Sequence, residues 1–468
     1  MINEAYHALR EFVGNENISI DPAILWAYSK DSSIQKPKLP DMVIRPNSTQ
    51  EVSSIIKYAN ENKIPIIPSG GRSSLCGAGY SLKGGGIIID LTRMTDILIY
   101  DDELNVEVEA GCTFSKLAFE LKQKNLTIGP PGPFSAFAAT LGGGLAVNTY
   151  SIYGSNLYGL PSEKLLSLEV VLPTGQIINT GSAANPKSKP IFRYCNGPDF
   201  GGLFLGAHGT LGIITKATFR VEKRHQEEAY FDPVFDTIEE CTQCAIELTK
   251  TRYTGMIMQF APIFYKQSGL DIRAKGGGLL VNVFGDPENI LHRKNIVENI
   301  ITKYTDMTTD TFAPIFNARE YAKYRHWCCV NGKWAEIAGY LSLDKVNEYI
   351  KICENYIEKN KEIVNKTSLI PQMGAIYTLN CVNIFAMFLI YDVNPENTEA
   401  SLTLTKNFAD ILFDFGLSPY WIGKAYSNAI FSRLDSNYVK LYHMIKNLLD
   451  PNAIMNPGMF ELEKEGEP

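Results

Sequence analysis

Apolar and polar positions along this 468-residue chain change period several times, and the changes predict its elements. Val52, Ile55, Ile56 and Ala59 recur at helical spacing behind Ser48-Thr49-Gln50-Glu51, whose serine and glutamate stand in capping-box register, so a helix is expected to about Asn62. The apolar run 64–67 reads as a strand, and Ile87-Ile88-Ile89 as a buried one. "NVEVEAG" alternates as a strand and "TFSKLAFELKQKN" has helical period, ending before the Pro-Pro-Gly-Pro break at 130–133. A strand-turn-strand is expected around Pro173-Thr174-Gly175, and a further strand in "GIITKATFRVEKR". Beyond about residue 224 the grammar changes. Helical patterns at 238–250, 288–304, 344–358 and 396–413 alternate with strands such as "GMIMQFAP", "GLLVNVFGD", "EIAGYLSL" and "NIFAMFLIYD". A last helix at 436–449 precedes "DPNAIMNPGMF", whose turn residues predict a fixed C-terminal anchor.

Length alone exceeds what one hydrophobic core supports, so two domains are expected: 1–224 and 225–435, with 436–468 returning to the first. Net charge is −7 and no basic block occurs, which argues against nucleic acid and anionic lipid as partners and toward a small-molecule substrate. The N-terminus carries charges throughout and does not read as a secretory signal, and the apolar run 383–391 is too short to span a bilayer. A cytoplasmic protein is expected. Nine cysteines, an odd number, do not suggest a disulfide framework. Cys241 and Cys244 form a CxxC inside an amphipathic helix pattern and, like the adjacent Cys328 and Cys329, are expected as packing residues. Six histidines lack metal-site spacing, so no metal is expected.

The chemistry concentrates in glycine. "PSGGRSSLCGAG" at 68–79 puts four glycines and three serines behind a strand, where main chain must turn tightly or admit a ligand. No GxxxxGK[ST] exists, and Gly77-Ala78-Gly79 lacks the third glycine and the following helix of a dinucleotide fingerprint. What remains is a nest of successive N–H groups from Ser69 to Ser74, suited to a diphosphate, or a plain glycine-rich turn. Further glycine clusters at 142–144 and 206–212 favour an extended dinucleotide gripped by main chain along its length.

The segments "PDMVIRPNSTQEVSSIIKYANENKIPIIPSGGRSSLCGAG", "ATLGGGLAVN", "YGSNLYG", "GLFLGAHGTLGIITKATFRV" and "LDPNAIMNPGMF" resemble the FAD-linked oxidoreductases of the vanillyl-alcohol oxidase superfamily, and most of all its D-lactate dehydrogenase and glycolate oxidase D-subunit branch. The resemblance is strong over 40–220 and 436–460. It implies a two-lobed PCMH-type FAD-binding domain, its core about 38–222, plus an α+β substrate (cap) domain with an antiparallel sheet. By position it implies that Ser69, Gly70, Gly71, Arg72, Ser73, Ser74 and Gly77 wrap the FAD pyrophosphate. Pro130, Gly132, Thr140, Gly142, Gly143 and Asn148 would line the isoalloxazine and ribityl region, with Ser155, Tyr158 and Gly159 nearby. Gly209, Gly212 and Ile214 would offer main-chain contacts, and Asn456 would reach the flavin from the C-terminal segment.

The departures from the family pattern are informative. Arg72 stands where several relatives carry a histidine bonded to the flavin, and a guanidinium is no usable nucleophile, so noncovalent FAD is expected; Arg72 would pair the diphosphate or a structural acid. GSEGTLG is here GAHGTLG, introducing His208. The GDGNxH element of metal-dependent relatives is absent. "YAKYRHWCCVNGK" resembles the segment holding a carboxylate-binding arginine, which makes Arg325 the candidate anchor. "PYWIGKAYSNA" offers Trp421, Lys424 and Tyr426 beside the flavin. Candidates for the base are Tyr377, Tyr426, Lys424 and His208. The resemblance implies hydride transfer from a small hydroxy acid to flavin N5. Oxidation of a phenolic or other alcohol, or a flavin relay to an electron-acceptor protein, stays open, as does a homodimer.

Overall fold

The computed structural model describes residues 2–33, 36–75, 77–130, 132–268, 273–310, 333–390, 392–420, 423 and 426–460. The chain divides into two units, one of Met1–Thr149, Pro161–Glu222 and Trp421–Pro468, the other of Tyr150–Leu160 and Lys223–Tyr420. Two details differ from the expected boundaries: the C-terminal return begins near 421 rather than 436, and 150–160 joins the second unit.

In the first unit β1 (Ile18–Ser19), β2 (Met42–Ile44), β3 (Ile66–Ser69) and β4 (Ile87–Asp90) form a sheet in the order β1-β2-β4-β3, with β2 and β3 both parallel to β4. Parallel strands are covered on both faces, which is why β4 is a continuous apolar run rather than an alternating one. The helix Thr49–Glu61 crosses from β2 to β3. Ser48 Oγ accepts the Glu51 N–H at 3.2 Å, while the Glu51 carboxylate reaches past the cap to the Asn47 N–H at 2.8 Å. Its buried face joins Ile44, Ile66, Ile87 and Ile89, and also Ala5, Leu9 and Val13 of the helix Ile2–Val13, which the sequence reading did not assign.

A second sheet holds β5 (Ile97–Tyr100), β6 (Asn105–Glu109), β8 (Leu165–Val171), β9 (Ile177–Asn179) and β10 (Ile213–Arg220) in the antiparallel order β5-β6-β10-β8-β9; β7 (Leu126–Thr127) and β11 (Glu222–Lys223) are two-residue strands outside it. The C-terminal anchor works as an added strand. Ile66 N–H donates to Ile454 and Asn456 N–H donates back to Ile66, so the segment satisfies the open edge of β3. Asp450, buried, accepts the amides of Ile454 and Met455 and pairs Lys446 at 2.5 Å.

The second unit carries β12 (Glu227–Phe231), β13 (Thr254–Phe260), β14 (Gly278–Gly285), β15 (Lys333–Leu341), β16 (Leu369–Tyr377), β17 (Val382–Ile390) and β18 (Ser418–Pro419) in one antiparallel sheet, ordered β12-β14-β13-β16-β17-β15-β18. Helices Ile290–Ile301, Ile238–Thr251, Val346–Lys359 and Pro395–Phe415 lie side by side on one face. β16 carries no legible strand pattern in the sequence, because Pro371 interrupts it. Proline is tolerated there because β13 pairs β16 only over 374–376, leaving one neighbouring strand at Pro371. Cys241 and Cys244 are buried on their helix, and burial pushes the Cys244 thiol up to about 12, as suits packing residues. Cys328 and Cys329 lie outside the described residues.

Tyr377 belongs to the helix-covered face. Its hydroxyl donates to Gln259 Oε1 at 2.6 Å, and Gln259 Nε2 donates to Thr242 Oγ1 of the helix above at 3.0 Å. Tyr377→Phe removes the short donor to a buried amide oxygen and is expected to cost about 1–3 kcal/mol. A thermal scan should show the unfolding midpoint falling by several degrees.

Candidate functional site

The loop after β3 is set by what surrounds it. A side chain at Gly70 would meet Thr140 Oγ1 at 2.2 Å, and one at Gly71 would sit 1.6 Å from the Ala138 carbonyl, so both must be glycine for the loop to rest on 138–140. Among the described residues, nothing accepts a hydrogen bond from the amides of Gly70, Gly71, Arg72 or Ser73. Four consecutive N–H groups without an acceptor, beside a glycine loop too tight for side chains, form a ready site for an acceptor-only group such as a diphosphate.

Three other segments of the first unit are tied to this loop. The turn 206–210 donates from Gly206 and His208 amides to Leu145 and Ala146 at the end of the helix Leu141–Ala146, while Gly209, at φ +70°, rests on Pro68 of β3. Asn456, buried at φ +45°, donates through Nδ2 to the His208 carbonyl at 2.6 Å and the Ala78 carbonyl at 3.5 Å. Its Oδ1 and that of Asn148, also at positive φ, are buried acceptors without a partner. Such atoms call for a donor the protein itself does not supply. The residues present fit FAD in these respects.

The N-terminal segment locks the loop from outside, a feature no sequence signal announced. Arg72 is turned away from the amides: its guanidinium lies 3.9 Å over the Tyr28 ring and donates to the Ala27 carbonyl. Among the described residues no acid pairs it, contrary to the expected structural ion pair. Tyr28 donates in turn to Asp90, and its own burial pushes its hydroxyl up to about 12. Asp31, buried, accepts the Ser33 amide, and desolvation raises its carboxyl to about 6.

Several other site candidates find structural reasons. Gly132 presses on the Phe114 ring, Gly142 on Ala110 and Gly212 on Val170, while Ile214 is core within β10. Gly143 alone of the 142–144 cluster is exposed. Thr140 caps its helix, its Oγ1 accepting the Gly143 amide at 3.4 Å, and Ser69 Oγ donates to the Gly79 carbonyl. Pro130 is buried close by in sequence, and Gly77 is at φ +80°. Ser74 has interactions of its own. Ser155, Tyr158 and Gly159 fall in the stretch grouped with the second unit, where Tyr158 lies against Phe284. His208 is 3% exposed, packs edge-on to Phe460, and is held neutral by burial, which lowers it to about 4; it is a core histidine rather than a base. Tyr426 begins the short helix Ser427–Phe431. Arg325, Trp421, Lys424 and Cys76 lie outside the described residues. No cluster that could hold a metal ion occurs among the described residues, and no described helix is long and apolar enough to cross a membrane.

Residues 40–181 match the family FAD_binding_4, an FAD binding domain, so the loop and its partners at 138–148 belong to a flavin-nucleotide domain. The chain is similar to the D-lactate dehydrogenase of Anaerostipes hadrus, 35% identical over 43% of this chain and 40% of that protein. It is also similar to the glycolate oxidase subunit GlcD of Bacillus subtilis (strain 168), 29% identical over 95% of this chain and 94% of that one. The chain thus spans less than half the length of the D-lactate dehydrogenase and nearly all of GlcD. Its fold is that of p-cresol methylhydroxylase (substrate bound), TM-score 0.83 at 20% identity over 98% and 97% of the two chains. The 4-ethylphenol oxidase from Gulosibacter chungangensis (isoeugenol complex) gives TM-score 0.81 at 18% identity over 99% and 97%. The chain thus holds an FAD binding domain within a fold like that of p-cresol methylhydroxylase.

Gly71→Ala should abolish FAD retention, read as loss of the flavin absorbance per mole of purified protein. His208 gives a pH signature: the unfolded chain takes up a proton near 6.5 and the folded one only near 4, so stability is complete above 6.5 and drains as pH falls toward 4. The loss is about 3 kcal/mol, and denaturant titrations across that range should show a shallower acid limb in His208→Gln.

Proposed function

We propose that this chain oxidises the CH–OH carbon of a small hydroxy acid of the D-lactate or glycolate kind, with the hydride passing to N5 of noncovalently held FAD. The observation that carries the reading is the row of four amides at 70–73 that no described residue accepts, which suits the diphosphate of a redox dinucleotide. Similarity to GlcD over nearly the whole length supports the hydroxy-acid class. The cofactor supplies the redox chemistry, and the chain supplies position, a base and electrostatics. The noncovalent state is supported by Arg72, whose guanidinium is engaged by Tyr28 and Ala27.

A second reading, oxidation of a phenolic or other alcohol, is favoured by the apolar and aromatic side chains Met258, Phe260, Phe385 and Met387, which share the face of the second unit's sheet turned from the helix Ile238–Thr251. The purified protein is expected to be yellow, to release its flavin into the supernatant on acid precipitation, and to bleach anaerobically with D-lactate or glycolate. Colour retained on the pellet contradicts the noncovalent state. Bleaching by 4-methylphenol alone contradicts the hydroxy acid in favour of the alcohol.

A further inference from the structure

The helix Ser436–Leu449 of the first unit has an inner and an outer side. Inward, Val439 joins Phe431, Met459 and Phe460 in a core cluster, the Tyr442 hydroxyl lies 3.0 Å from Thr210 Oγ1, and Lys446 Nζ donates to the Thr210 and Met455 carbonyls. Those contacts fix the rotation of the helix about its own axis. Outward, Tyr438 is 61% exposed, Leu441 54%, Met444 68% and Leu448 80%. With the half-buried Ile445 included, positions 438, 441, 445 and 448 follow one another at spacings of three, four and three, the period of a seam between two helices. A stripe of apolar surface left open on a folded protein marks a docking face.

We propose that this stripe is where a second copy of the chain docks, the two helices lying antiparallel about a two-fold axis at His443. An antiparallel pair centred there sets Tyr438 against Leu448 of the second copy and Leu441 against its Ile445, so each contact is made twice and the interface closes at two copies. The two helix dipoles then run in opposite directions, which favours the pair. Charge also favours a copy of this chain. The protein holds 51 Asp and Glu against 44 Lys and Arg, yet Ser436–Leu449 contains no acid. The acids at its two ends are occupied: Asp435 accepts the Asn437 and Tyr438 amides, and Asp450 pairs Lys446. Two net-negative copies thus meet where carboxylates repel least. An anionic lipid surface would call for several free cations around the apolar stripe, and on this helix Lys440 alone is left once Lys446 is turned inward to Asp450. A seam about 21 Å long covers less than the roughly 800 Å² per partner of a standard interface, so the dimer is expected to come apart at about micromolar concentration.

The test is sedimentation velocity of the holoprotein from about 0.1 to 100 µM, a range that brackets a micromolar equilibrium, for the wild type, Tyr438→Glu, Leu448→Lys and an equimolar mixture of the two variants. Both substitutions suit the helix they enter, a carboxylate in its first turn and an ammonium in its last, and flavin content with the melting midpoint checks that each variant is folded. The wild type should pass from monomer to dimer as concentration rises. Each variant alone should dimerise about 100-fold more weakly or worse. The mixture should recover the dimer, because the introduced carboxylate and ammonium face each other across the axis. Should either variant lose its flavin or its fold, Met444→Glu takes its place, and an undiminished dimer then overturns the proposal. A wild type that stays monomeric at every concentration overturns it too, as does a dimer that Tyr438→Glu and Leu448→Lys leave unchanged. A mixture that stays monomeric overturns the antiparallel pairing. A wild type that is monomeric in solution but floats with phosphatidylserine vesicles gives the stripe to lipid and overturns the second copy.

Discussion

Main-chain amides that no protein group accepts are the constraint on which this structure turns. An N–H withdrawn from water without an acceptor costs a sizeable part of a hydrogen bond, and four half-buried ones with no acceptor among the described residues stand in succession from Gly70 to Ser73. The surroundings do not let the loop relax. Gly70 and Gly71 are wedged against Thr140 and Ala138, Arg72 is held by Tyr28 and Ala27, and the Ser32 amide donates to the Arg72 carbonyl. The loop is therefore preorganised, with its ordering cost met by the fold rather than by the ligand.

That rigidity has a source in the sheets. β3 ends at the loop, and its free edge is closed by the C-terminal segment through Ile66, Ile454 and Asn456. Asn456 then bonds the carbonyls of both Ala78 and His208, tying the glycine loop to the turn 206–210. A chain end more than three hundred residues downstream thereby becomes a structural part of a site begun near residue 69. The second unit is built on a different rule. Its sheet gives one face to four helices, and polar residues there bond one another, as Tyr377 does Gln259.

Elements with a strong period were legible in the sequence: the capped helix at 49–61, the triple-isoleucine strand and the four helices of the second unit all stand where the pattern puts them. What the pattern hid has physical causes. β16 carries a proline that only its position beside a single neighbour permits, and Leu141–Ala146 is a helix despite three glycines because Thr140 caps it and Gly142 and Gly144 must lie flat on Ala110 and Phe114. At the site, glycine told where main chain is close-packed but not against what: Gly142 and Gly212 answer to protein neighbours, Gly70 and Gly71 to the loop itself. Tyr377 and His208 carry the right chemistry for a base and the wrong surroundings, since burial and partners are properties of the fold.

The central claim is that the Gly70–Ser73 amides are the groups that grip the flavin nucleotide. Hydrogen–deuterium exchange over 66–80 in the apoprotein and after FAD is restored tests it directly. The account predicts that exchange at these four amides slows markedly on FAD binding, ahead of any change in the second unit's sheet. Exchange there that is identical with and without bound FAD would contradict it.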